Sequence, residues 1–334
     1  MLNSFEKIKV PQKREQLIKN VLNKLPKIQG ISPKDREIRR VILMINELEK
    51  YKNFLSELSS TMSSLHIFYT TLMEIESKRS KEEIKGCINS TLRLIDNSIR
   101  ILSRYRYAIA NSKDPKEANL LMREAFGRFS SILRRKAKCL DELIDLVEKM
   151  KKAESIDPNL PTIVIAGPPN AGKSTLVGRI STAKPEVAYY PFTTKEVHVG
   201  HILGPFNEPM VQVIDTPGIL DRPMSERNEI EKKAINAIMN LNGIIVYLFD
   251  VSKSSMYSIE EQLDIFNELR GLNKIVIPVI NKIDDKDEEL YKQLVEQLSK
   301  FNTKYFEISA ENGINVRDLL AYLLNIFNIN IMSS

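Results

Sequence analysis

The run TIVIA (162–166) leads directly into Gly167-Pro168-Pro169-Asn170-Ala171-Gly172-Lys173-Ser174. A loop of this length, with glycine at both ends, can curl its backbone N–H groups around a phosphate. The N-terminus of a following helix adds positive potential there. The arrangement works only with a strand before the loop and a helix after it, so it fixes a strand–loop–helix unit at mid-chain. Gly167, Asn170, Ala171, Gly172 and Thr175 then form the cradle. Lys173 reaches the outer phosphates, and the Ser174 hydroxyl is a ligand for Mg²⁺.

The rest of the second half suits that unit. Short runs such as VQVID (211–215), IIVYLF (244–249) and KIVIPVI (274–280) alternate with helical stretches. That pattern predicts a mainly parallel, doubly wound sheet covered by helices, with its ligand at the carboxyl ends of the strands. Further motifs fall at those ends. Asp215-Thr216-Pro217-Gly218 closes one strand: Asp215 supports the metal, and the Gly218 N–H meets the γ-phosphate. In Pro191-Phe192-Thr193-Thr194 one threonine closes over Mg²⁺, with Thr194 preferred and Thr193 the alternative. Asn281-Lys282-Ile283-Asp284 follows KIVIPVI, and the Asp284 carboxylate accepts two hydrogen bonds from guanine that adenine cannot offer. Ser309-Ala310 follows a last short strand (305–308), where the Ala310 N–H meets the guanine O6. Five motifs in this order predict a site for GTP or GDP with Mg²⁺.

The first half has a different period. Ser32-Pro33 opens a helix with Ile38, Val41, Ile45 and Leu48 on one face. A short helix over about 11–24 precedes it, and a second long one covers 62–79. A third, over 81–111, carries Ile84, Ile88, Leu92, Ile95, Ile99 and Leu102. A fourth opens at Asp114-Pro115, with Glu117 three residues after the cap, and keeps steps of three and four from Met122 to Val147. Long helices with short connections predict an antiparallel bundle. Residues 1–157 are therefore expected to form a helical domain and 158–334 a G domain of the Ras type.

Charge separates the halves as well. Residues 1–160 hold 32 Lys and Arg against 21 Asp and Glu, a net of +11, while the remainder nets −5. Arg93, Arg100 and Arg104 fall on one stripe of the third helix, and Arg134, Arg135, Lys136 and Lys138 cluster on the fourth. Such a surface suits RNA phosphates. The N-terminus MLNSFEKIKV is charged where a secretory signal needs an apolar core. The longest apolar run, IIVYLF, is far short of the ~20 residues that span a bilayer. No lipidation motif supports membrane attachment. Cys87 and Cys139 read as small buried apolar residues of a protein in a reducing cytoplasm.

TAKPEVAYYPFTTK (182–195), IDTPGILDRPMSERNEIEKKAI (214–235) and the lead-in IDPNLPTIVIAG (156–167) together resemble the nucleolar GTP-binding protein family, within the Obg-related branch of G proteins. The helical half before the G domain matches that family's layout, and the early end of the chain resembles its short archaeal form. The resemblance implies GTP hydrolysis with Mg²⁺ and work in large-ribosomal-subunit assembly. It also implies a pre-ribosomal particle, both rRNA and ribosomal proteins, as partner. The chain is expected to be monomeric away from that particle.

One position departs from many small G proteins. The residue after Gly218 is Ile219, where they carry a glutamine that orients the attacking water. Asn170 offers a substitute, because relatives with asparagine in this loop hold K⁺ beside the phosphates; a turn-capping role is the alternative. Arg222 and Arg227 are further candidates, or salt-bridge residues of the following helix. Slow GTP turnover that a particle accelerates is the expected behaviour. His198 and His201 face opposite sides of a strand and cannot share a metal. Tyr189 and Tyr190 pack the neighbouring loop or stack on guanine, and His66 has no visible partner. Two other function classes remain: a signalling-type G protein whose bundle is a protein-interaction arm, and an RNA-modification partner.

Overall fold

The computed structural model describes residues 5–152, 156–182, 186–188, 197–215, 220, 226–301 and 303–329. Its contacts divide the chain into two compact units, residues 2–65 with 76–152, and residues 66–75 with 153–334.

The first unit is the helical bundle. Helices α1 (Arg14–Lys24), α2 (Pro33–Ser63), α4 (Lys81–Ala110), α5 (Pro115–Lys136) and α6 (Lys138–Lys152) belong to it. Ser32 caps α2 by accepting the Asp35 N–H, and Pro33 occupies the first turn, where no amide donor is needed. The Asp114 carboxylate accepts the Lys116 and Glu117 amides at the start of α5. Glu117 reaches back one residue past the cap, to the Lys113 N–H at 2.6 Å. Val41, Met44 and Leu48 of α2, Ile88 and Ile95 of α4, Phe129 of α5 and Leu140 and Ile144 of α6 are all buried. Each such side chain contributes about 1.5–3 kcal/mol when fully buried. Glu37 also lies in this interior, and Arg40 holds it with two hydrogen bonds of 3.0 and 2.9 Å while Arg36 adds a third at 3.0 Å.

Two sequence expectations change here. The predicted fourth helix is two helices, broken at Ala137, although its apolar spacing runs on unchanged. Neither glycine nor proline causes the break. The Arg14 guanidinium takes the Leu133 and Arg134 carbonyls at 2.9 and 3.3 Å, and Asp141 accepts the Arg14 backbone N–H at 3.0 Å. A distant side chain thus satisfies the carbonyls that a continuous helix would have used. Cys87 and Cys139 are also not separate buried residues. They pair as a disulfide between α4 and α6, with Cα atoms 6.2 Å apart.

The second unit contains α3 (Ile67–Ser77) for most of its length. The sequence reading put this stretch in one helix over 62–79 within the bundle. In the structure α2 runs on to Ser63, and residues 66–75 group with the G domain instead. The Tyr69 hydroxyl donates to the Ile156 carbonyl at 2.7 Å, and Phe68, Leu72 and Met73 are buried.

Among the described residues the G domain is a seven-stranded sheet flanked by helices. Its strands are β1 (Thr162–Ala166), β2 (Glu186–Ala188), β3 (Val197–Leu203), β4 (Pro209–Asp215), β5 (Gly243–Asp250), β6 (Val276–Asn281) and β7 (Phe306–Glu307). They lie in the order β2-β3-β4-β1-β5-β6-β7. β4, β1, β5, β6 and β7 run parallel, whereas β2 and β3 form an antiparallel edge. Helices α7 (Lys173–Ile180), α8 (Glu229–Met239), α9 (Ile259–Arg270), α10 (Glu288–Lys300) and α11 (Val316–Ile326) complete it. β1 is buried along its whole length, as a strand covered on both faces must be. Gln212 of β4 bonds the Asp157 backbone on both sides, at 3.1 and 2.8 Å, and the Thr162 hydroxyl at 2.7 Å. This fully buried amide pins the lead-in of β1 to β4. No helix among the described residues is long and apolar enough to cross a membrane.

Candidate nucleotide site

The phosphate loop sits between β1 and α7. Gly167 has φ +140°, and a Cβ there would strike the Leu248 carbonyl of β5. Gly172, at φ +92°, caps α7, and a Cβ there would strike the Asn281 side chain. Both glycines are therefore required by close approach and by a left-handed backbone. Lys173 is buried, and its ammonium donates to the Gly167 and Pro168 carbonyls at 2.9 and 2.8 Å. It lies folded along the inner rim of the loop its sequence position predicts. Thr175 is half-buried one residue beyond Ser174.

The Ser174 hydroxyl donates to Asp215 Oδ2 at 2.5 Å. Asp215 ends β4 with no exposed surface, and its other oxygen, Oδ1, is buried without a hydrogen-bond partner. A buried carboxylate oxygen left unpaired is costly. A hydroxyl and a carboxylate converging beside a phosphate loop are a hard-oxygen set that fits Mg²⁺.

The base-side residues meet across three loops. Asn281 ends β6, and its amide donates to the Ala171 carbonyl at 2.7 Å while its oxygen accepts the Ala310 N–H at 2.9 Å. It ties the phosphate loop to the Ser309-Ala310 loop and does not itself point at a base. Lys282 sits at φ +61° with its ammonium 2.7 Å from Asp250, a buried carboxylate that also accepts the Ser252 amide and hydroxyl. Asp284 is exposed and accepts a hydrogen bond from the Asn312 amide at 2.9 Å.

The structure adds residues that the sequence reading did not single out. Arg179, on α7, donates to the Ala310 carbonyl at 3.2 Å and to that of Glu311. It links the helix that starts at Lys173 to the loop that ends at Ala310. Asp250 fixes Lys282, and Asn312 touches Asp284. Each makes long-range contacts that periodicity cannot reveal. A polar residue after Ser309-Ala310 was the only available signal for Asn312.

Asn170 has φ +64° and an exposed side chain with no hydrogen-bond partner among the described residues. The left-handed backbone suits a turn residue, but the amide caps nothing there. Arg227 is buried just before the Asn228 cap of α8. Thr193, Thr194, Tyr189, Tyr190, Gly218, Ile219 and Arg222 lie outside the described residues. No group of three or more His, Cys, Asp or Glu among the described residues is placed to hold a metal.

The NOG1 N-terminal helical domain matches residues 5–157, and the Nucleolar GTP-binding protein 1 (NOG1) model matches residues 229–284. Nucleolar GTP-binding protein 1 of Drosophila melanogaster is 34% identical over 299 residues, covering 85% of this chain and 44% of the fly protein. An uncharacterized protein of Methanocaldococcus jannaschii is 41% identical over 191 residues, covering 57% of this chain and 53% of its own. A crystal structure from Plasmodium falciparum, described by the same family name, is 31% identical and covers 52% of this chain and 89% of its own, with a TM-score of 0.45. The chain spans about half the length, or less, of the curated relatives it matches. With its helical half and residues 229–284 matched by models of one family, and a relative 34% identical across 85% of its length, the chain belongs to the nucleolar GTP-binding protein 1 family.

Proposed function

We propose that this chain is an Mg²⁺-dependent GTPase that serves as an assembly factor of the large ribosomal subunit, docking its basic bundle on precursor rRNA. The observation that carries the nucleotide reading is Asn281, which joins the phosphate loop to the Ser309-Ala310 loop with Asp284 three residues away. In this reading Gly167, Asn170, Ala171, Gly172 and Thr175 surround the phosphates. Lys173 exchanges its two carbonyl partners for phosphate oxygens. Ser174, Thr194 and Asp215 hold Mg²⁺, which neutralises charge on those oxygens when bound. Gly218 donates its N–H to the γ-phosphate. Lys282, Asp284, Ser309 and Ala310 frame guanine.

Ile219 has no group to orient water, so an unaided chain turns over slowly. The free Asn170 amide oxygen is the group this chain offers to a K⁺ ion beside the phosphates. Assembly work is supported by family membership and by the excess of Lys and Arg in the bundle. The relatives' names place them in the nucleolus; in a cell without a nucleolus the same work is cytoplasmic. We take the chain to be monomeric away from the particle.

Calorimetric titration with GDP and ADP tests the site: tight GDP binding, absent for ADP and lost in Lys173→Ala, is expected. Equal affinity for both nucleotides would overturn the guanine assignment. Turnover should rise when K⁺ replaces Na⁺ at constant ionic strength, and Asn170→Ala should abolish the difference. Equal rates in both salts would leave catalysis to a group supplied by the particle.

A further inference from the structure

One face of α4, with Ile101, Arg104 and Tyr105, meets one face of α5, with Arg128, Ile132 and Arg135. Between them lies a groove of about 510 Å³. The spacings, three and four along α4 and four and three along α5, put each set on a single helix face. Ile101, Tyr105 and Ile132 are half-buried and form its floor, and the three arginines are exposed at its rim. Among the described residues no carboxylate pairs with Arg104, Arg128 or Arg135. The adjacent Arg134 differs, since it binds Glu15 at 3.1 Å. Of the basic runs seen in the sequence, Arg134 is thus paired, whereas Arg104 and Arg135 stand with Arg128 around this cavity.

We propose that this groove is a site for single-stranded RNA, with one unpaired base lying on Tyr105 between Ile101 and Ile132 and the flanking phosphates on Arg104, Arg128 and Arg135. The proposal rests on the RNA reading of the bundle and narrows it to one strand class and one place. The volume lies within the ~300–1,000 Å³ typical of ligand pockets, so a base fits below the surface. Duplex RNA presents its backbone and 2′-hydroxyls and keeps its bases stacked, so it gains nothing from an apolar floor. An unpaired base needs an aromatic or apolar platform with cations along its backbone, which is the arrangement here. All the rim cations are arginine, whose planar fork binds phosphate through two hydrogen bonds.

The test uses the full chain and fluorescence anisotropy with an unstructured single-stranded RNA, a duplex of equal length and polyglutamate. Wild-type protein should prefer the single strand. Arg128→Gln with Arg135→Gln should weaken it about tenfold or more and flatten the salt dependence by about 1.4, roughly 0.7 per lost phosphate on a single strand. Arg135→Gln alone should weaken it measurably, whereas Arg134→Gln, which removes the same single charge one residue away, should change binding less than about twofold, as expected for a side chain already paired in the protein. Tyr105→Leu should cost about tenfold and Tyr105→Phe little, because stacking needs the ring and not the hydroxyl. Circular dichroism should show every variant as helical as wild type.

Equal losses for Arg134→Gln and Arg135→Gln, or a preference for duplex, would overturn the groove while leaving the RNA reading intact. Polyglutamate binding as tightly as RNA would make the groove a dock for an acidic protein segment and overturn the proposal. Failure of wild-type protein to bind any RNA at low salt would overturn the RNA reading and this proposal together.

Discussion

At the residue scale, the phosphate loop was fully legible because its chemistry is local. Glycines at 167 and 172, a lysine and a serine occupy positions that a strand–loop–helix imposes. Asn281 was legible at the end of its strand but not in its contacts. Its amide bridges residues 110 positions before and 29 after it, and no sequence window spans both. Asn281→Ala should leave the Ala310 N–H and the Ala171 carbonyl unpaired, at about 1–3 kcal/mol each. Both thermal stability and GDP affinity should fall together, which calorimetry with and without nucleotide can measure. Asp284→Asn should shift preference from guanine to xanthine nucleotides, since the amide presents a donor where guanine also has one. The loss for GDP should be at least about 1.5–3 kcal/mol, roughly tenfold to a hundredfold. Unchanged GDP affinity would move the base pocket elsewhere.

At the element scale, the helix N-termini at Ser32 and Asp114 were readable, because each residue acts on amides two to three residues away. Helix ends made by distant side chains were not. The break at Ala137 follows from Arg14, more than a hundred residues earlier, so the uninterrupted apolar spacing gave a single helix. Arg14→Met should free the Leu133 and Arg134 carbonyls and remove the guanidinium that lies 3.0 Å from Asp141 Oδ2, while the backbone N–H bond to Asp141 stays. A loss of about 1.5–3 kcal/mol is expected, seen as a lower urea midpoint with an unchanged slope. The cap of α4 adds a pH dependence. The Ser80 amide and hydroxyl bond Glu83 and hold its carboxyl below the ordinary carboxylate value. Its contribution is therefore complete above the ordinary range and lost as pH falls through the depressed value. Ser80→Ala should remove part of the acid-side slope of stability, read from denaturation midpoints at successive pH values.

At the scale of the whole molecule, the sequence divided the chain by period, glycine content and charge, and the structure divides it similarly with one exchange. Residues 66–75 leave the bundle for the G domain, and Tyr69 fixes them through the Ile156 carbonyl. Nothing in the periodicity of IFYTTLMEIES distinguishes a helix of one unit from a helix of the other. With that exchange the charge contrast sharpens, to +14 for residues 2–65 with 76–152 and −8 for the remainder. A strongly basic unit and an acidic nucleotide-binding unit in one chain suit a factor that holds RNA with one part and times its release with the other. The most direct test is sedimentation of the native protein in a lysate gradient, with a non-hydrolysable GTP analogue or with GDP. The chain should travel with large-subunit precursors in at least one nucleotide state, and Lys173→Ala should erase the difference between the two. A chain that stays among the free proteins in both states, at low salt, would contradict the assembly role.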